Sequence, residues 1–524
     1  MKRFAFIFAV CGLVVSIGSQ AAAQTLAVDD PVIRRIWTEA TENSQYAAMG
    51  HELIDVIGPR LTGSPQDTRA HEWAVAKFRS WGIEAEMEQW GVWQSWQRGI
   101  CHIDMLEPWV KTLTGSLMSW SPGLRRAVEA EVLIIPEVAD EAEFEAWLPA
   151  VKDKWVLISF PEPSGRPHST WQTNATPEVY EEFMQERRAA MQAFNENLQR
   201  AGFEGRRLDS AVARKMEEAG AAGVIGMSWP SGNWHTYRTF TTYTTEIPAF
   251  IMSLEDYTLL YRLSESGHTP TVEIEAEAET FGEQPTYNTV AMIRGSELPD
   301  EYIVLMGHLD SWDTSTGAVD NASGCLLAME ALRVIKTVFP NPKRTIVACL
   351  WGSEEQGLNG SSSFVEDHPE IVAGLQAGFN FDSGIGRIAR LSDSGFVEAG
   401  AFLARWLTRL PTEVGRHITL TVPGSPSSGG SDHASFIGAG APCFSLGTSR
   451  WDYGYTWHTQ IDTYDKLVFP ELINNVVVEA CLAYLASQDE ETMPRTRRVL
   501  LDRDGNPREW PGQRSPTRRG GPGY

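Results

Sequence analysis

Five short segments of this sequence carry side chains from which hydrolytic chemistry could be built: Gly307-His308-Leu309-Asp310, Val319-Asp320-Asn321, Glu354-Glu355, Phe381-Asp382 and Trp457-His458-Thr459. Each alone has an ordinary reading. His-x-Asp spacing is common on surfaces, an acidic pair usually opens a helix, an aspartate caps turns and a lone histidine packs in a core. Their joint placement is what matters, because each lies beyond a strand-like stretch or opens the helix that follows one. In an open α/β sheet, ligands bind in the crevice beyond the carboxyl ends of the strands. These segments would therefore deliver acids and imidazoles to one sheet edge. Carboxylates crowded there repel one another unless a cation neutralises them. Imidazole and carboxylate donors without thiolates suit catalytic zinc better than a cysteine-rich structural site. Two histidines and three carboxylates can hold two metals if one carboxylate bridges, leaving a position for an activated water.

The elements that must position these groups form an alternating series. Residues 290–293, 302–306, 345–350, 378–381 and 442–446 read as strands. The stretch 322–335 reads as a helix with Cys325, Leu326, Met329 and Leu332 on one face. A closing amphipathic helix is expected over 471–485. The pattern predicts an α/β fold with a mostly parallel sheet flanked by helices. Upstream, the Gly/Pro loop Gly58-Pro59-Arg60-Leu61-Thr62-Gly63-Ser64 precedes a helix over 67–81 and a strand over 83–90. Residues 130–275 break into shorter β/α units, with strands at 132–135, 155–158 and 223–227 and a helix at 211–219. Within them, 177–200 reads as a charged, solvated insertion helix. The aromatics Trp229, Trp234, Tyr237, Phe240 and Tyr243 suit either core packing or a cleft wall.

Composition bounds the rest. A net charge of −24 over 524 residues argues against nucleic acid as a partner, since phosphate binding requires excess Lys and Arg. Lys2 and Arg3, an apolar run over 4–17 and the triplet Ala21-Ala22-Ala23 read as an export signal cleaved after Ala23. The run is short for a spanning helix of ~20 residues. No later stretch is expected to be apolar enough to span a bilayer, so a soluble secreted or periplasmic protein is expected, without stable membrane insertion. Cys325, Cys349, Cys443 and Cys481 sit in apolar surroundings and read as buried free thiols. The expected division is a signal at 1–23, a discontinuous catalytic unit at 24–129 and 276–490, an inserted unit at 130–275, and a disordered Arg/Pro/Gly-rich tail at 491–524. That tail is too poor in apolar residues to bury much surface.

The motifs resemble the co-catalytic zinc exopeptidases, a family that includes the leucyl-type aminopeptidases and the plasma glutamate carboxypeptidase branch. The resemblance runs from the 58–64 loop to Asp462-Thr463-Tyr464-Asp465-Lys466, and Leu309-Asp310-Ser311-Trp312-Asp313 is most similar to the latter branch. The 130–275 region is similar to a protease-associated insert at Ala219-Gly220-Ala221-Ala222-Gly223-Val224. The resemblance implies two Zn²⁺ ions. Its ligands would be His308, Asp320 as the bridge, Glu355, Asp382 and His458, with Glu354 as general base. Asp310 would orient His308. Ser431-Asp432-His433-Ala434-Ser435-Phe436 resembles a loop near the site without a settled role. Ser428 stands where some relatives place an oxyanion-stabilising tyrosine. The substrate implied is a peptide or dipeptide. Glutaminyl cyclisation is an alternative that usually needs fewer ligands, and a receptor-like binding protein is another that would have lost some. Neither the peptide end attacked nor the oligomeric state is legible.

Overall fold

The computed structural model describes residues 29–205, 208–449, 451 and 453–522. The expected signal at 1–23 lies outside the described residues. Buried apolar runs bounded by turn residues form the strands, and the sheet order explains how they meet. Strands Cys443–Ser445, Leu375–Asn380, Leu298–His308 and Arg344–Trp351 lie side by side and parallel. All eight residues of Arg344–Trp351 are buried, as expected for a strand covered on both faces. The apolar helices Ser323–Val338 and Phe469–Gln488 pack against each other and against this group. The expected α/β architecture with flanking helices is the one observed.

Two long antiparallel strands carry the sheet onward. Glu84–Glu107 pairs with Thr271–Ile293 from Glu84 opposite Met292 to Glu107 opposite Thr271. Thr271–Ile293 then borders a second parallel group, Val128–Ile134, Trp155–Leu157, Gly223–Met227 and Ala249–Met252. The expected strand at 83–90 is therefore only the start of a 24-residue strand. The apolar side chains at the junction belong to one cluster, in which Leu61 and Trp312 pack with Trp96, Trp155 and Phe250. A separate cluster around Val156, Met216 and Val224 lies beneath the second group. Helix Pro177–Arg200 forms as expected, capped by Thr176 and largely exposed.

Two expectations need correction. Phe469–Gln488 is long and apolar enough to cross a membrane, and most of it is buried within the protein. Its apolar character serves the core. The tail is also not free over its described part. Trp510 packs on Phe396 with ring centroids 5.4 Å apart and donates Nε1–H to the Ile437 carbonyl at 3.0 Å. Thr517 N–H donates to Asn359 Oδ1 at 2.9 Å, and Arg519–Gly520 pairs in parallel with Val92–Trp93. Arg518 meets Asp367 and Glu366 at 2.7–2.9 Å. A low apolar content excludes a core but not a strap held by a sheet edge and by guanidinium–carboxylate bonds on an acidic chain.

Candidate metal centre

All seven predicted site residues converge on the carboxyl edge of the first parallel group. His308 is the last residue of its strand, and Glu354 and Glu355 follow Arg344–Trp351 through the turn at Gly352-Ser353. Asp382 lies just beyond Leu375–Asn380, and Asp320 lies just ahead of helix Ser323–Val338. His458 arrives from a turn in which its own φ is 60°, a left-handed conformation uncommon for a residue other than glycine. Its ring stacks on Trp457 at 3.8 Å and faces Phe240 and Trp312 at 5.2 and 5.7 Å.

The distances sort the groups around Asp320. Oδ1 of Asp320 is 3.3 Å from His308 Nε2, and that same nitrogen is 3.7 Å from Asp382 Oδ1. Oδ2 of Asp320 is 3.4 Å from His458 Nε2, which is 2.9 Å from Glu355 Oε2. Each aspartate oxygen thus faces one imidazole and one further carboxylate. His308, Asp320 and Glu355 can also offer atoms that all lie within 4.8 Å of one another.

The donor set fits a cation. Asp320 Oδ2, Glu355 Oε1 and Asp382 Oδ1 are buried without a hydrogen-bond partner. Burial pushes the Glu354 and Glu355 carboxyls well above their ordinary range, and neighbouring acids push further. Burial alone would lower the His308 pKa, but Glu354, Asp310, Asp320 and Asp382 hold it well above normal. Such a cluster of buried like charges calls for positive charge among them.

Surrounding bonds fix these groups in place. Asp310 differs in detail from its expected role. His308 Nδ1 donates to the Asp310 main-chain carbonyl at 3.0 Å, while the carboxylate is 3.7 Å away. The carboxylate oxygens instead accept the amides of Glu354 and Glu355 at 3.0 and 3.2 Å, and the Thr62 hydroxyl. Asp310 therefore ties the His308 segment to the acidic pair. Trp312 Nε1–H donates to Glu355 Oε2 at 2.9 Å.

Three contributors escape a local reading of the sequence. Asp462 accepts the amides of Val319 and Asp320 at 2.6 and 3.0 Å, holding the Asp320 segment. Arg60 is fully buried and spends its guanidinium on the carbonyls of Gly58, Leu309, Thr316 and Gly317. It thereby shapes the loop that carries Asp310 and Trp312. Tyr453 lines the cavity beside these carboxylates, and Ser428 does not. Arg60 and Asp462 stand in the two stretches, 58–64 and 462–466, that bound the family resemblance, but nothing in the sequence assigned either a role, and Tyr453 carried no signal. Of the aromatic cluster, Phe240 faces His458, Trp229 and Tyr237 are buried, and Trp234 is exposed. Asn380 Nδ2–H donates to Ser431 Oγ at 2.7 Å, placing the Ser431-Asp432-His433 loop beside the strand that leads to Asp382.

Comparison with known proteins comes to the same edge. The profile described as Peptidase family M28 matches residues 288–481. Carboxypeptidase Q of Mus musculus is 27% identical over 463 residues, covering 87% of this chain and 88% of that protein. The structure of a Peptidase M28 precursor from Shewanella amazonensis superposes with a TM-score of 0.66 at 24% identity, covering 88% of this chain and 97% of that one. A zinc aminopeptidase from Bacillus subtilis does so with a TM-score of 0.54 at 17% identity, covering 86% and 97%.

Proposed function

We propose that this zinc metallopeptidase, whose residues 288–481 match the M28 peptidase profile, removes terminal units from peptides or dipeptides at a two-zinc centre. The observation that carries the proposal is the division of Asp320 between two imidazoles. His308 and Asp382 would hold one ion with Asp320 Oδ1, and His458 and Glu355 the other with Asp320 Oδ2. Bound zinc would supply Lewis acidity, lowering the pKa of a water and polarising the scissile carbonyl.

The chain's own residues do the rest. Glu354 lines the cavity without being needed as a ligand. As the water attacks the carbonyl carbon, the Glu354 carboxylate takes its proton. It returns that proton to the departing nitrogen as the C–N bond breaks, so no net proton is consumed at the residue. Asp310 holds the main chain of Glu354 and Glu355, so one side chain is presented to substrate and the other to metal. Trp312 fixes Glu355 by its indole N–H, and with Phe240 it makes an apolar wall that limits bulk water. Tyr453 is the tyrosine best situated to assist a developing oxyanion, in place of the missing one at Ser428.

The unit at 24–129 and 276–490 is proposed as the catalytic body, and 130–275 as an insert that shapes the cleft. The separate buried cluster under the second parallel group supports this division. The complete ligand set disfavours both the cyclase and the non-catalytic reading.

The test is metal titration. Chelator-stripped protein should be inactive on a mixed peptide pool and recover full activity with about two zinc ions per chain. Full activity at one ion per chain would contradict the two-metal reading.

A further inference from the structure

The cavity at the centre has a volume of about 380 Å³, a size suited to a small ligand. Its lining includes Asp320, Glu354, Glu355, Asp382 and His458, and also Arg514 from the C-terminal strap. Among the described lining residues, Arg514 is the only lysine or arginine. We propose that Arg514 binds the free α-carboxylate of a short peptide, so that the cleft selects substrates by their carboxyl end. This rests on the peptidase reading above and supplies the end preference which that reading leaves open.

Two observations support it. Two strap arginines are spent on carboxylates, Arg518 on Asp367 and Glu366 and Arg498 on Asp393, and a third, Arg495, on the Ala373 and Leu375 carbonyls, and none of these lines the cavity. Arg514 is exposed and donates to the Ser428 carbonyl at 3.3 Å, with no carboxylate partner among the described residues. A guanidinium has five N–H donors in a planar fork, and with one of them on the Ser428 carbonyl most of its capacity is uncommitted.

Its position is also held from both sides. Trp510 is docked on Phe396 and Ile437 before it, and Thr517 on Asn359 after it. Asn359 opens the helix that follows the Glu354-Glu355 turn. The strap thus places Arg514 in the lining of the same cavity as the acidic pair.

The charges argue against capture of a free amine. An ammonium needs an uncommitted carboxylate, and the acids lining this cavity are the proposed ligands and base. What remains is one cation, and a carboxylate matches it bidentately.

The experiment compares zinc-loaded full-length wild type with Arg514→Gln and Arg514→Lys on three peptides. These are a dipeptide, its C-terminal amide, and a dipeptide amide ending in glutamate, whose only carboxylate is the side chain. The wild type should prefer the free acid. In Arg514→Gln the acid-to-amide ratio of kcat/KM should fall about ten- to hundred-fold, mainly through KM, as for loss of a charged hydrogen bond. Zinc content should not change, and Arg514→Lys should keep part of the preference. An unchanged ratio in Arg514→Gln overturns the assignment. A loss confined to the glutamate amide overturns it in favour of a side-chain carboxylate. Wild type that cleaves none of the three peptides would instead sink the peptidase reading itself.

Discussion

The two walls of the proposed metal cavity are built by opposite means. On the sheet edge, His308, Asp310, Asp320 and His458 are each less than a tenth exposed and are bonded into one buried network. Across from them, the strap presents an exposed Arg514 and is secured by one tryptophan, a two-residue strand and surface ion pairs. Removing a member of a buried charge network leaves its partners uncompensated, at a cost of about 3–5 kcal/mol. Surface pairs contribute about 0–1 kcal/mol each and are screened by salt. The comparison implies a division of labour in which the rigid wall does the chemistry and the looser one reads the substrate.

The sharpest way to break that division is Asp320→Ala. Both proposed half-sites lose an oxygen at once, so zinc content should drop by at least one ion per chain. Activity should fall by more than about a thousand-fold, as for losing several kcal/mol of metal-derived stabilisation. Metal analysis alongside kcat/KM checks it, and an active variant with full zinc would remove Asp320 from the centre.

A smaller effect should come from the other wall. Trp510→Ala removes an indole that is only partly buried, costing about 2 kcal/mol of local docking. The expected result is faster amide exchange over 510–520 and a raised KM for dipeptides, the latter growing with salt, with zinc content unchanged. Metal loss in this variant would mean that the two walls are not separable.

The same contrast decides what was legible in the sequence. The edge proposed to bear the chemistry shows itself because its strands are buried apolar runs, three of which lead directly to His308, to Glu354 and Glu355, and to Asp382. Their order of alternation with helices fixes which edge the ends share. The long pair Glu84–Glu107 and Thr271–Ile293 is less visible, because residues such as Gln94, Arg98 and Glu275 interrupt any apolar run on its half-exposed faces. Asp462 was hidden for another reason. It caps amides about 140 residues earlier in the chain, and no local pattern encodes so distant a bond. The strap was misjudged because composition reports on apolar burial, whereas its arginines find partners on the acidic surface of the folded chain.

Glu354→Gln tests the central claim most directly, since it preserves shape and removes only the capacity to take a proton. The account predicts that this variant folds, retains its full zinc content and turns over peptides about 10²–10⁴-fold more slowly in kcat. Near-normal turnover with full zinc would contradict the role of Glu354 as base, and loss of zinc would make it a ligand instead.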